Sequence, residues 1–157
     1  MSLIKIHISI SAPIERVFDL SRSIDLHKKS TEHTGEMAVD GVISGLIGLG
    51  QSVTWKARHF GVWQRLTSKI TKFEYPNYFQ DCMVSGAFRY FTHDHFFKVD
   101  GGSTLVTDRF EFASPFGPIG RIVDIVVMER YLSNLLISRN NVIKNIAESS
   151  DWKLYLK

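Results

Sequence analysis

The feature that most constrains this chain is the density of alternating segments between Gln51 and Phe112. SVTWKARHF, VWQRLTSKITKF, YFQDCMV, FRYFTHDHFFKV and TLVTDRFEF each carry the period of two and the β-branched and aromatic residues of strands. They are separated by Gly61, Pro76-Asn77, Ser85-Gly86 and Gly101-Gly102. Connections this short join only antiparallel neighbours, because a parallel crossover needs a dozen residues or more. The middle of the chain is therefore an antiparallel meander.

Both flanks add to it. IKIHISI puts Ile4, Ile6, Ile8 and Ile10 on one face of a further strand. SAPIERVFDL then predicts a short helix, with Ser11 as cap, Pro13 in the first turn, and Ile14, Val17 and Phe18 on one side. A second short helix is expected near Ile24 to Glu32. Residues 35–51, GEMAVDGVISGLIGLGQ, carry five glycines, which argues against a stable helix. The stretch reads as a strand with its hairpin, or as a mobile apolar flap over a cavity, with residues 41–50 as its loop. SPFGPIG is a break, and Pro118 suits a first helical turn. From residue 119 to about 148, Ile122, Val126, Leu132, Leu135, Leu136, Ile143 and Ile146 recur at helical spacing. That predicts one helix about 45 Å long.

The expected fold is α+β: a curved antiparallel sheet of about seven strands, two short helices after the first, and a long C-terminal helix. Residues 1–150 form a single domain, and DWKLYLK, residues 151–157, is an amphipathic tail that docks or stays free. An antiparallel sheet must cover one face. Only the last helix is large enough to do so, and a curved sheet on one helix leaves a cavity unless large side chains fill it.

Composition removes several classes. The 157 residues, 44% hydrophobic and 22% charged, are ordinary for a globular protein and exclude disorder. A net charge of +3 does not require nucleic acid. Cys82 is the only cysteine, so no internal disulfide forms. MSLIKIHISISAP lacks the apolar core of a signal peptide, and no segment approaches the roughly 20 apolar residues of a membrane span. The expected location is the cytoplasm.

The stretch FTHDHFFKVDGGSTLVTDRF holds the candidate site. A two-residue loop at Gly101-Gly102 pairs Asp100 with Ser103, and a four-residue loop pairs Val99 with Thr104. Both place His95 opposite Asp108. Phe91, His93, His95, Phe97 and Val99 share one face, and Val106, Asp108, Phe110 and Phe112 match it on the partner strand. This is the more apolar side and should face the helix, leaving Asp94 and Arg109 towards water. A buried carboxylate needs a partner, which His95 supplies. His93 is then the freer histidine, able to orient a ligand's polar end. If catalysis occurs, His93, His95 and Asp108 are its acid-base groups, though no nucleophile is evident. No zinc spacing such as CxxC pairs or HExxH is present, so neither metal nor cofactor is expected.

Other candidate pocket residues are Trp55, His59 and Trp63, Asp81 beside Phe79 and Met83, and Met128, Leu132, Leu135 and Leu136 from the helix. Lys56, Arg58, Arg65 and Lys69 read as a solvated outer face. With Trp55, His59, Asp81, Phe91, His93, His95, Asp108, Phe110, Met128 and Leu132, the expected ligand set is complete.

Several motifs carry a family resemblance. Ile10-Ser11-Ala12-Pro13 with Val17-Phe18, the hairpin Val53 to Thr71, Phe79-Gln80-Asp81, Gly86-Ala87-Phe88, His93-Asp94-His95-Phe96, Thr104 to Asp108 and Pro115 to Gly120 resemble a bacterial subgroup of the SRPBCC superfamily. That superfamily includes START lipid-transfer domains, birch-allergen-type proteins and polyketide cyclase-like proteins. The resemblance covers essentially the whole chain. It implies the helix-grip fold, no metal, and a small hydrophobic ligand: a lipid, isoprenoid, quinone or polyketide-like molecule. A cyclase or hydratase-like enzyme using His93 or His95 is the alternative. A third is an interaction module without a cavity, touching a membrane or protein transiently through a strand edge or the tail.

Overall fold

A computed structural model describes residues 1–156. One antiparallel sheet contains β1 (Ser2–Ile10), β2 (Met37–Gly41), β3 (Ser52–His59), β4 (Val62–Glu74), β5 (Tyr78–Ser85), β6 (Tyr90–Asp100) and β7 (Ser103–Ala113). Their order is β1-β7-β6-β5-β4-β3-β2. Only β1 is out of sequence, brought beside β7 by the helices α1 (Ile14–Ser21) and α2 (Ile24–Ser30), which carry the chain to the far edge. The C-terminal helical segment is α3 (Gly117–Val123), a π-helical turn (Asp124–Met128) and α4 (Glu129–Glu148). The last of these packs on β1, α1 and α2.

Alternation along the strands builds the inner face. In β7 every second residue from Thr104 to Phe112 is buried. In β3, Val53, Trp55 and Ala57 are buried in the same rhythm. Phe18 of α1 meets Phe73, Tyr75, Phe79 and Phe97 edge-on, with ring centroids 5.1–5.3 Å apart. The core has two parts. One surrounds Phe18, and the other holds Ile4, Phe91, Phe110 and Phe112 beneath Met128, Leu132 and Leu136. Along β6, Phe91 belongs to the second part and Phe97 to the first, and His93 and His95 lie between them.

The long C-terminal helix is present, from Gly117 to Glu148, but a π-helical turn breaks its α-helical phase. Ile122 and Val126, expected in the core, are 62% and 69% exposed. Before and within the π-helical turn, the side facing the protein is Gly120 and Asp124, both buried. A Cβ on Gly120 would lie 2.0 Å from the Pro115 carbonyl oxygen, so only glycine permits this approach. Asp124 accepts from the Ser114 amide at 3.1 Å and bonds its hydroxyl. The π turn inserts a residue and shifts the helical phase. From Met128 onward the aliphatic side faces inward.

Three further expectations are corrected. The glycine-rich loop is not a free flap. Ile24 N bonds Gly45 O at 2.9 Å, Ile47 N bonds Arg22 O at 3.2 Å, and Ile47 is buried. Trp63 is half exposed on the outer face, because the Phe60-Gly61 turn pairs it with Arg58 rather than with Trp55. Asp94, assigned to water, is buried on the outer face, accepting from Tyr78 Oη at 2.6 Å and Gln80 Nε2 at 2.8 Å. The tail is docked: Arg16 lies over the Trp152 ring at 4.1 Å, and Tyr155 and Leu156 pack against the core.

Candidate functional site

Between the sheet, α2 and α4 lies a cavity of about 390 Å³. That is within the roughly 300–1,000 Å³ typical of small-molecule sites. Its walls come from Trp55, Ala57 and Ile70 on the sheet, Phe91 and Phe110 at one end, and Met128, Leu132, Leu135 and Leu136 above. His59, Asp81, His93 and His95 also face it. Of the ligand set drawn from the sequence, Asp108 alone is set back from the wall, almost fully buried behind the histidines.

The polar wall is built by register. The hairpin pairs Asp100 with Ser103, and so His95 with Asp108. Across the other edge of β6, Asp81 pairs with His93 and Phe79 with His95. Asp81, His93, His95 and Asp108 thus converge on one face. The rings of His93 and His95 lie 3.7 Å apart between centroids, and Phe79 stacks on His95 at 4.1 Å.

Asp108 organises this group. Its Oδ1 accepts from His93 Nε2 at 2.8 Å and lies 3.1 Å from His95 Nδ1. Its Oδ2 accepts from Asn140 Nδ2 of α4 at 2.6 Å. The other His95 nitrogen, Nε2, meets Asp81 Oδ1 at 2.7 Å. His95 therefore bridges two carboxylates. Burial disfavours its charge, but hydrogen bonds to Asp108 and Asp81 outweigh that and raise its pKa. His93 is shifted the other way: burial and the neighbouring His95 lower its pKa despite the bond to Asp108. Burial pushes Asp108 up, yet its bonds to both histidines hold it well below the ordinary aspartate value. Asp81 is likewise lowered against the effect of burial by His95 and His93.

This corrects the division of labour expected from the sequence. His93 is not the freer residue at Nε2, since Asp108 holds it as firmly as it holds His95. What remains open on His93 is Nδ1, whose nearest carboxylate oxygen, Asp81 Oδ1, lies 3.9 Å away, beyond hydrogen-bond distance. With Nε2–H donating to Asp108, the Nδ1 lone pair is available.

Sequence reasoning missed Arg139 and Asn140. Arg139 Nη2 donates to Ser21 O at 2.9 Å, and Nη1 lies 3.9 Å from Asp108 Oδ1. Their signal was their place on the buried side of α4, in line with Leu132, Leu136 and Ile143. A second polar group lies at the cavity, of which sequence reasoning named His59 and missed His27, Glu36 and Tyr131. His27 Nε2 bonds Glu36 Oε1 at 2.8 Å, and the His27 ring lies 4.3 Å from that of Trp55. His59 Nδ1 bonds the Tyr131 hydroxyl. Burial raises the Glu36 carboxyl, but the charge and hydrogen bond of His27 bring it below its ordinary value. Burial lowers His59.

No family model matches the sequence, and no curated protein does. Solved structures match in shape. Protein TTHA0849 of Thermus thermophilus superposes with a TM-score of 0.70 at 18% identity, over 90% of this chain and 97% of its own. The major latex-like protein 151 of Panax ginseng gives 0.66 at 15%, over 94% and 98%. The fold is the helix grip. Within that fold, the norcoclaurine synthase of Thalictrum flavum, solved as a point mutant with a transition-state analogue, gives 0.69 at 12% identity over 93% of each chain. At these identities the likeness concerns the fold, which hosts both binding proteins and enzymes. No helix among the described residues is long and apolar enough to cross a membrane.

Proposed function

We propose that this helix-grip chain is a cytoplasmic binder or carrier of a small hydrophobic molecule with one polar end. The observation that carries the reading is the joint presence of an apolar cavity of about 390 Å³ and one polar wall, Asp81, His93 and His95, held by buried partners. Affinity comes from apolar burial, at roughly 25 cal/mol per Å² before ordering costs. The polar wall sets orientation, with His93 Nδ1 accepting, while His95, held by a carboxylate at each nitrogen, fixes Asp81 in place. Lipid, isoprenoid, quinone and polyketide-like molecules satisfy both demands. Titration with an apolar fluorescent dye, followed by displacement with long-chain alcohols, quinones and fatty acids, tests this. Saturable binding and displacement are expected. Dye binding that no apolar competitor displaces would count against it.

A second reading has its own support. His93 has one nitrogen on a buried carboxylate and the other towards the cavity, the arrangement of a general base with its orienting group. A cyclase or hydratase-like reaction fits that geometry, and the Thalictrum synthase shows that the fold accommodates catalysis. Turnover of a bound candidate that is lost in His93→Gln supports it, and turnover unchanged in that variant removes it.

A further inference from the structure

We infer that Asp81, His93 and His95 form a site for a divalent first-row transition ion, with open coordination positions directed into the cavity. The sequence reading expects no metal, because no recognised spacing occurs. The three residues come from two adjacent strands and meet only through register: Asp81 pairs with His93, and His95 follows on the same face. One donor atom of each lies within 4.8 Å of the others.

The arrangement behind the donors separates this cluster from a chance meeting of polar groups. Metal-binding imidazoles almost always send their second nitrogen to a carboxylate, carbonyl or water, which fixes ring and tautomer. Here both histidines send one nitrogen to a single oxygen, Asp108 Oδ1, at 2.8 and 3.1 Å. Asp108 is itself held by Asn140 at 2.6 Å and is almost fully buried. The nitrogens left over, His93 Nδ1 and His95 Nε2, are those nearest Asp81 Oδ1, at 3.9 and 2.7 Å. Two imidazoles and one carboxylate, with remaining positions open, suit zinc or iron(II)-class ions and not calcium or magnesium.

The metal-free geometry is close to that of a loaded site. Bonds of about 2.0–2.1 Å place neighbouring donors roughly 3 Å apart. His95 Nε2 and Asp81 must separate slightly, His93 Nδ1 must approach Asp81 by about 1 Å, and the two imidazole nitrogens, now within 4.8 Å, must draw together as well. In the metal-free protein the His95 Nε2 proton stands between that nitrogen and Asp81. Loading the ion replaces this proton, which leaves to solvent, and His95 becomes a neutral ligand. All three donors line the cavity. A water or a ligand oxygen would complete the coordination there, and the ion would polarise it as a Lewis acid. The inference goes beyond the binding function, resting on it only for what fills the open positions.

The test uses the full chain, stripped with chelator and titrated with Zn²⁺, then Co²⁺, with no apolar ligand present. Expected are one ion per chain, a Co²⁺ d–d spectrum of low coordination number, and ¹⁵N shifts at the His93 and His95 rings. Asp81→Asn removes the saturable site, and Asn140→Ala weakens it about tenfold. His7→Ala and His33→Ala, at exposed histidines, leave it unchanged. The wild-type resonances need no variant and so do not depend on one folding. Shifts confined to exposed histidines, an Asp81→Asn protein that binds as tightly as wild type, or no stoichiometric binding would each overturn the inference. Dye binding by the stripped protein reads the cavity separately, so the two readings fail independently.

Discussion

Asn140 donates to Asp108 at 2.6 Å, which ties α4 to β7 at the buried carboxylate that His93 and His95 share. The contact joins the lid of the cavity to its polar wall. Its loss should therefore affect stability and ligand orientation together.

Asn140→Ala removes a hydrogen bond to a charged group and should destabilise the chain by about 1.5–3 kcal/mol. Asp108→Ala should cost more, about 3–5 kcal/mol, because it removes the buried carboxylate partner of His93, His95 and Asn140 together. Urea unfolding of both variants and of the double variant checks this. The double variant should fall short of the sum, since both changes break the same contact.

The cavity can be filled from its sheet side. Ala57 and Ser68 line it, and both are small and buried. Ser68→Phe should lower apolar dye affinity by about tenfold or more, the equivalent of about 1.4 kcal/mol, while leaving the unfolding midpoint within a few degrees. Fluorescence titration beside a thermal melt separates the two effects.

Acid should weaken the chain partly through Glu36. Its folded pKa lies below the ordinary value of 4.5, so its contribution is present above that value and is lost as pH falls through the folded pKa. Wild type should lose more stability between pH 7 and pH 3 than Glu36→Gln, which has no charge to neutralise there. Urea midpoints at the two pH values measure the difference, and equal losses would remove Glu36 from the acid response.

Gly120→Ala should destabilise by about 1–3 kcal/mol, because its Cβ would meet the backbone oxygen of Pro115 at 2.0 Å. Gly102→Ala, where a Cβ meets nothing within 4 Å, should stay within about 0.5 kcal/mol. Thermal unfolding of the pair decides whether the clamp at the start of α3 is as tight as its geometry.

The hairpin made the central pairing readable in advance. Gly101-Gly102 permits few loop lengths, and the two even ones place His95 opposite Asp108, as found. Asp81 was readable by parity with Phe79 and Met83, but its partner on β6 was not, because Ser85-Gly86 does not by itself fix the length of the connection between β5 and β6. Arg139 and Asn140 reach the site by helix packing, which depends on how α4 crosses β1 and the short helices. Ile122 and Val126 misled for a related reason. Periodicity assumes constant helical phase, and the π turn at Asp124–Met128 breaks it. Trp63 fell on the outer face because alternation identifies two faces without saying which is inner.

The most direct measurement is native mass spectrometry of the protein purified gently from its own cells. A cavity of about 390 Å³ that binds an apolar molecule predicts an organic adduct at one per chain, absent from Ser68→Phe purified alongside. A wild-type spectrum free of adduct, together with failure to take up any apolar dye, would contradict the binding function.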